Sequence, residues 1–285
     1  MKKILAVSGG VDSMVMLDFF ANNFPNDELV VATFDHGTRE SSAEDALFVE
    51  NISRNQYALK KVYRGKAELG AGVSEEMARK ARYDFLREVA FREKGEIFTA
   101  HHLDDLVETV MINFLRGTEF RGLAGLSSLG IRRPFIDGFF EKTFDKREIL
   151  NYAAEHEIVF REDPTNSSED YLRNRIREKV LNLPIETKRA IFQLWQNQKR
   201  IVKEIDEIVE NLLPEDLKFE RDWFRNLDEK TALEILRAAT IRAGVATTGP
   251  QRKEFLNAIL NYQPGKHFNL PDDKLVKINK RDFVL

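Results

Sequence analysis

The chain has no cysteine. That absence excludes disulfides, thiolate metal sites, iron–sulfur clusters and any persulfide carried on these residues. Long apolar runs are missing too: no segment approaches the roughly 20 residues needed to cross a bilayer. The Met1-Lys2-Lys3 start leads into a strand pattern instead of a signal peptide, so a cytoplasmic location and no membrane partner are expected. Nor does one charge dominate, since 44 Lys and Arg stand against 47 Asp and Glu for a net charge of −3. A nucleic-acid surface would therefore have to come from local Arg and Lys clusters. Repeats and low-complexity segments are absent. What remains, 285 residues at 42% hydrophobic content, suffices for one large domain or two modest ones.

Through the first half, short apolar runs alternate with helical patterns. Strands are expected at Ile4–Val7, Leu29–Phe34, Leu59–Tyr63 and Glu96–Thr99, with helices near 13–22, 42–56, 75–93 and 104–115. Such βα alternation predicts an α/β fold, a doubly wound parallel sheet with helices on both faces, which binds ligands beyond the carboxyl ends of its strands where strand order reverses. In the common orders strands 1 and 4 flank that point. The loop after strand 1 and the segment from Ala100 to Glu108 should then line one crevice. A further strand is expected at Gly130–Arg133. After Pro184 the pattern becomes mainly helical, at Glu186–Leu213, at Glu229–Arg242 and from Gly249-Pro250 to Leu260, with a short β-meander from Lys266. Phe192, Leu194, Trp195, Ile201, Ile205, Ile208 and Leu212 read as packing surface in the first of these helices. The expected domains are 1–184 and a smaller, mainly helical 185–285.

The segment Ser8-Gly9-Gly10-Val11-Asp12-Ser13 joins a strand to a helix N-terminus. Glycine permits positive φ and close approach of a ligand, and the first-turn amides of the helix point at whatever sits there, which makes the segment a phosphate trap. No Lys follows the glycines, so this is not GxxxxGK[ST], and the G-x-G-x-x-G spacing is missing. An ordinary strand-to-helix turn would leave the paired glycines unexplained. The second informative region is His101-His102-Leu103-Asp104-Asp105-Leu106-Val107-Glu108. On a helix, the spacings of Asp104 and Asp105 to Glu108 put their carboxylates on one face, where they repel unless a cation lies between them. A magnesium ion or the ammonium of a small substrate would serve. An acidic first turn favoured by the helix dipole is the plainer alternative. Arg173, Arg175 and Arg177, with Arg132, Arg133 and Arg161 before them, read as phosphate contacts or as a salt-bridged helix face.

SGGxDS resembles the pyrophosphate loop of the N-type ATP pyrophosphatases, whose fold is the Rossmann-like adenine nucleotide alpha hydrolase type. Residues 101–126 followed by Arg132-Arg133-Pro134-Phe135 resemble the HHxDDxxET…RG…GLAGM signature of the tRNA(Ile)-lysidine synthetase family. Phe34–Ser41, Val73–Leu86 and Arg161–Arg177 are similar to three more of its motifs, in order.

The resemblance implies ATP as substrate with Mg²⁺. ATP would adenylylate the carbonyl oxygen at position 2 of the wobble cytidine in a CAU-anticodon tRNA(Ile), and the amine of L-lysine would then displace AMP. It implies ATP binding by Ser8, Gly9, Gly10, Val11, Asp12, Ser13 and His36, with Asp12 near the Mg²⁺. Asp105, Glu108 and Arg82 are the catalytic or lysine-binding candidates, and Arg173, Arg175 and Arg177 the tRNA contacts. A homodimer is compatible with this reading. A tRNA thiolase on the same loop is the alternative, and the lack of cysteine counts against it.

Overall fold

The computed structural model describes residues 1–24, 28–35, 42–67, 75–126, 130–140, 142–161 and 171–285. Five strands, β1 (Lys2–Ala6), β2 (Leu29–Asp35), β3 (Val62–Lys66), β4 (Gly95–Phe98) and β5 (Ile131–Arg132), form one parallel sheet in the order β3-β2-β1-β4-β5. Order reverses between β1 and β4, which pair directly with Ile4 opposite Ile97 and Leu5 opposite Phe98. The expected crevice is therefore there, at the switch point of a doubly wound sheet.

Side-chain alternation gives the sheet two apolar faces. Leu5, Val31 and Phe98 point to one, where they meet Met14, Leu17 and Phe20 of α1 (Val11–Asn23), Val49 of α2 (Ser42–Asn55) and Ile149 of α6 (Lys146–Glu155). Ile4, Val30, Ala32 and Ile97 point to the other, against Tyr83, Leu86 and Val89 of α3 (Glu75–Glu93). A third cluster joins α4 (Leu103–Leu115) to α7 (Tyr171–Leu181) and the start of α8 (Ile185–Leu212) through Leu106, Val107, Ile176, Val180, Phe192 and Trp195. A four-residue helix α5 (Phe120–Leu123) follows α4, and its carbonyls at Phe120 and Gly122 accept from Gln198 and Asn113.

The third strand lies later than expected. Its apolar run begins at Leu59, but Leu59 is a buried loop anchor after Ala58 at φ 52°, donating its N–H to Ser53. The strand proper continues into Arg64-Gly65-Lys66, tolerable because β3 is an edge of the sheet.

Contacts divide the chain into compact units at 1–198 and 199–285, within α8. The second unit packs α10 (Glu229–Arg242) and α11 (Gly249–Asn261) with a short α9 (Arg221–Arg225). Its antiparallel sheet has the order β6-β9-β8-β7, from β6 (Lys218–Glu220), β7 (Lys266–Asn269), β8 (Leu275–Ile278) and β9 (Asp282–Val284). Phe219, Phe224, Phe255 and Phe283 fill its centre. Of the α8 residues expected to pack, Phe192 and Trp195 are buried, whereas Leu194, Ile201, Ile208 and Leu212 are exposed. Their heptad-like spacing reads as a core stripe in sequence, but these four positions lie on the solvent side of the helix. No helix among the described residues is long and apolar enough to cross a membrane.

Candidate active site

Three helix N-termini meet at the carboxyl end of β1 and β4. The first is α1. Gly9 adopts φ +92°, in the left-handed region that side chains rarely enter, so the turn needs glycine. The N-cap, Gly10, offers no side-chain acceptor to the amides that follow, so the first-turn N–H groups stay open to a ligand. Ser13 shapes this loop from inside. Its hydroxyl donates to the Gly10 carbonyl at 2.9 Å and accepts the Ser8 N–H at 3.1 Å, with the Ser8 hydroxyl 3.3 Å away. Ser13 is buried and Ser8 exposed, so of the two hydroxyls that of Ser8 faces outward. The Gly9 carbonyl accepts the Arg161 N–H at 2.9 Å, which ties the loop to a residue 152 positions on in the chain.

The second N-terminus is α4, capped by His102. Asp105 turns back to accept the His102 N–H at 2.9 Å. The buried His102 ring lies among three carboxylates: Asp105 at 3.5 Å, Asp104 at 3.6 Å and Asp12 at 3.8 Å. This contact carries the expected meeting of the two sequence motifs. Asp104 faces inward. Its Oδ2 accepts the Lys146 N–H at 2.7 Å, and its Oδ1 lies 2.5 Å from the ammonium of Lys188, which is 1% exposed. Lys188 also reaches Asp145 at 3.5 Å.

Asp145 caps α6, the third N-terminus, in a reciprocal box with Glu148 at 3.0 Å in both directions. Burial pushes its carboxyl up, but the Glu148 N–H and the Lys188 charge outweigh it and hold the group below the usual carboxylate range. From the next residue, the Lys146 ammonium crosses to Asp12 at 2.6 Å. One residue of α6 thus anchors its backbone on α4 and its side chain on α1.

Asp105 and Glu108 differ in ionisation. Burial pushes Asp105 up, yet His102, His101 and the His102 N–H together hold it below the ordinary value. Burial raises Glu108 above the ordinary value, against the pull of Arg177 and Arg173. Those two guanidiniums sit on Glu108 itself, Arg173 at 3.1 Å and Arg177 at 3.4 Å. Two of the three arginines expected on tRNA therefore share an ion-pair cluster with a residue expected on lysine; Arg175 and Arg177 are both exposed. Burial drives His101 down to about 4, assisted by Arg133, Arg82 and Arg79 and opposed by Asp105. Arg82 stacks on Tyr83 at 5.3 Å within that basic group. His36 lies outside the described residues.

Lys146 and Lys188 were not legible as site residues. Each is one lysine in a charged helix, and its partners stand 42 to 134 positions away. No local spacing encodes such a contact.

The α1 loop at the end of β1, the β1–β4 switch and the open first-turn amides define an ATP-binding domain of the pyrophosphate-loop class. A PP-loop domain profile matches residues 1–183, and the chain belongs to that family. It is 35% identical to a tRNA(Ile)-lysidine synthase of Enterococcus faecalis, the match covering 74% of this chain and 47% of that protein. It is 34% identical to a tRNA(Ile)-lysidine synthase of Thermosipho africanus, covering 84% and 57%. The chain spans about half the length of the curated relatives it matches. Among solved structures, the U34-tRNA thiolase NcsA of Methanococcus maripaludis, with its 4Fe-4S cluster, shares the fold at TM-score 0.56 and 19% identity, covering 69% of this chain and 71% of that one.

Proposed function

We propose that the chain is an ATP-dependent ligase that joins L-lysine to the wobble cytidine of a CAU-anticodon tRNA(Ile). The cytidine C2 carbonyl oxygen attacks the α-phosphorus of ATP and expels pyrophosphate. The lysine ε-amine then attacks C2, AMP leaves with the former carbonyl oxygen, and the product reads AUA instead of AUG. The observation that carries this reading is the union of a phosphate-binding helix N-terminus with a carboxylate pair on the neighbouring strand's helix, through the Asp12–His102–Asp105 contact.

Each step has a residue suited to it. The amides of the Gly9–Ser13 turn and the Lys146 ammonium face the pyrophosphate side, where negative charge departs. The Asp12 carboxylate, a third exposed, fits a shared Mg²⁺. Mg²⁺ commonly takes one or two protein carboxylates and completes its shell with phosphate oxygens and water; bound there it would neutralise the leaving group. Asp105, held ionised, suits an ammonium anchor. Glu108, held above the usual range by burial, suits acceptance of the proton that the attacking amine must lose. Arg175 and the rest of the α7 face are assigned to tRNA phosphates. The protein is placed in the cytoplasm with its tRNA. The thiolase reading has the shared fold in its favour, but no residue of this sequence can supply a thiolate to a cluster or a persulfide.

Labelled lysine, ATP and tRNA(Ile) transcript incubated with the protein test the reading. Label in acid-precipitable RNA, dependent on ATP and matched by AMP, is expected. ATP turnover without label in RNA would reject it.

A further inference from the structure

Two buried arginines behave differently. Arg221 spends its guanidinium on the carbonyls of Ile259, Asn279, Leu260 and Tyr262, at 2.7 to 3.4 Å. Arg133 is 5% exposed, yet among the described residues its side chain makes one long hydrogen bond, Nη1 to the Ile131 carbonyl at 3.5 Å, and its Nε and Nη2 have no hydrogen-bond partner. The nearby acid does not serve it: Asp137 takes the Arg132 Nε at 3.1 Å and the Arg133 backbone N–H at 3.0 Å. Tyr83, 7% exposed, adds a hydroxyl with no hydrogen-bond partner among the described residues, within electrostatic reach of Arg133. Arg79 and Arg82 lie over the same ring at 5.1 and 5.3 Å. A buried guanidinium with open donors, within electrostatic reach of an open hydroxyl and of other cations, is costly unless an anion supplies the acceptors.

We infer that Arg133, with the Tyr83 hydroxyl, receives the α-carboxylate of the amino-acid substrate. The inference rests on the lysine-ligase reading and adds a specificity residue to it. Sheet order selects this anion over the phosphates of ATP. Arg133 directly follows β5, two strands from β1, and neighbouring strands lie about 4.8 Å apart. The anion held there is thus roughly 10 Å across the sheet from the pyrophosphate turn. The helix after β4, between the two, carries Asp105 and Glu108. A molecule with an amine at those carboxylates and a carboxylate several bonds further on matches this order, as the ε-amine and α-carboxylate of lysine do. Arg133 is a planar fork suited to a carboxylate, and a lysine in its place would keep charge but lose the bidentate geometry.

The test compares L-lysine with cadaverine, which lacks the carboxylate, on wild type, R133Q, R133K and Y83F. KM for each amine and for ATP is measured, with calorimetric titration of both amines. R133Q should raise KM for lysine roughly 10- to 100-fold, the span of a lost charge-assisted pair. KM for ATP should stay within about twofold, and the preference for lysine over cadaverine should fall by the same factor as lysine affinity. R133K should fall between the two, and Y83F should lower the preference less. A parallel rise in KM for ATP would reassign Arg133 to phosphate and overturn the inference, as would equal weakening of lysine and cadaverine. If R133Q does not fold, R133K and Y83F decide, and an unchanged lysine preference in both overturns it. If the wild type makes no lysidine, the ligase reading fails by itself. The titrations then decide separately, since wild-type binding of lysine over cadaverine that R133Q abolishes supports the inference, and equal binding of the two overturns it.

Discussion

Replacing Lys188 with methionine removes an ammonium that is 1% exposed and lies 2.5 Å from Asp104 and 3.5 Å from Asp145, both buried. Methionine fills much of the volume, so the cost is electrostatic: two carboxylates left together in the interior. Breaking a buried pair from one side costs about 3–5 kcal/mol. Here each carboxylate keeps a backbone donor, Lys146 N–H for Asp104 and Glu148 N–H for Asp145, which argues for the lower end, about 3 kcal/mol. Against a typical domain stability of about 5–15 kcal/mol, that is a large fraction. Urea denaturation at pH 7 should show the midpoint falling with the slope unchanged. Adding D104N in the K188M background should recover part of the loss, because it removes one of the stranded charges. Since the two N-termini of α4 and α6 are pinned by this ion, pyrophosphate release should also slow, Lys146 losing its fixed approach to Asp12. A K188M cost under about 1 kcal/mol, or no recovery with D104N, would refute the claim that the ammonium holds the two helices together.

Asp12→Asn should abolish ATP-dependent pyrophosphate release while leaving circular dichroism and the melting temperature near wild type, since its carboxylate is a third exposed; retained turnover would remove Asp12 from the phosphate chemistry. Glu108→Gln should leave ATP affinity intact and cut lysine transfer by about 10²–10⁴-fold, the range of a lost proton acceptor, as read in single-turnover assays. Arg175→Ala should lower the log–log salt slope of tRNA binding by about 0.7–0.9, as read by filter binding, and an unchanged slope would separate it from the phosphates. Glu93, held by Lys2 at 2.7 Å, Lys61 at 2.6 Å and the Tyr63 hydroxyl, has its carboxyl lowered to about 2. Its folded pKa lies below its unfolded one, so its stabilisation is complete above about 4.5 and is lost as pH falls towards 2. Glu93→Gln should therefore be less stable than wild type at pH 7, with the gap closing over that window.

The motifs at 8–13 and 101–108 were legible because both chemistry and fold are local there: glycines for a turn, acids for a first helical turn, and alternation that fixes a parallel sheet. The strand order then brought the two together, as a doubly wound fold requires. What sequence did not yield was long-range pairing. In sequence Glu108 reads as an acid that needs a cation, and Arg173 and Arg177 as phosphate contacts or a salt-bridged face, with no local spacing to pair them across about 65 positions; the fold puts the three on one another. Lys146 and Lys188 look like surface lysines of charged helices, yet one spans two helix N-termini and the other is buried between two acids. Arg133 looks like one member of a basic run, and only its burial without acceptors sets it apart. The exposed Leu194, Ile201 and Ile208 mark the opposite failure, apolar spacing without burial.

Nucleoside mass spectrometry of two tRNAs that share the CAU anticodon, tRNA(Ile) and tRNA(Met), each incubated with the protein, ATP and isotopically labelled lysine, reads lysidine formation itself. Discrimination has to use features outside the anticodon, such as flanking pairs or stem shape. A cytidine carrying the mass of lysine less water is expected in tRNA(Ile), and unmodified cytidine in tRNA(Met). An unmodified wobble cytidine in both, or a sulfur-bearing nucleoside in place of the lysine adduct, would contradict the lysine-ligase reading.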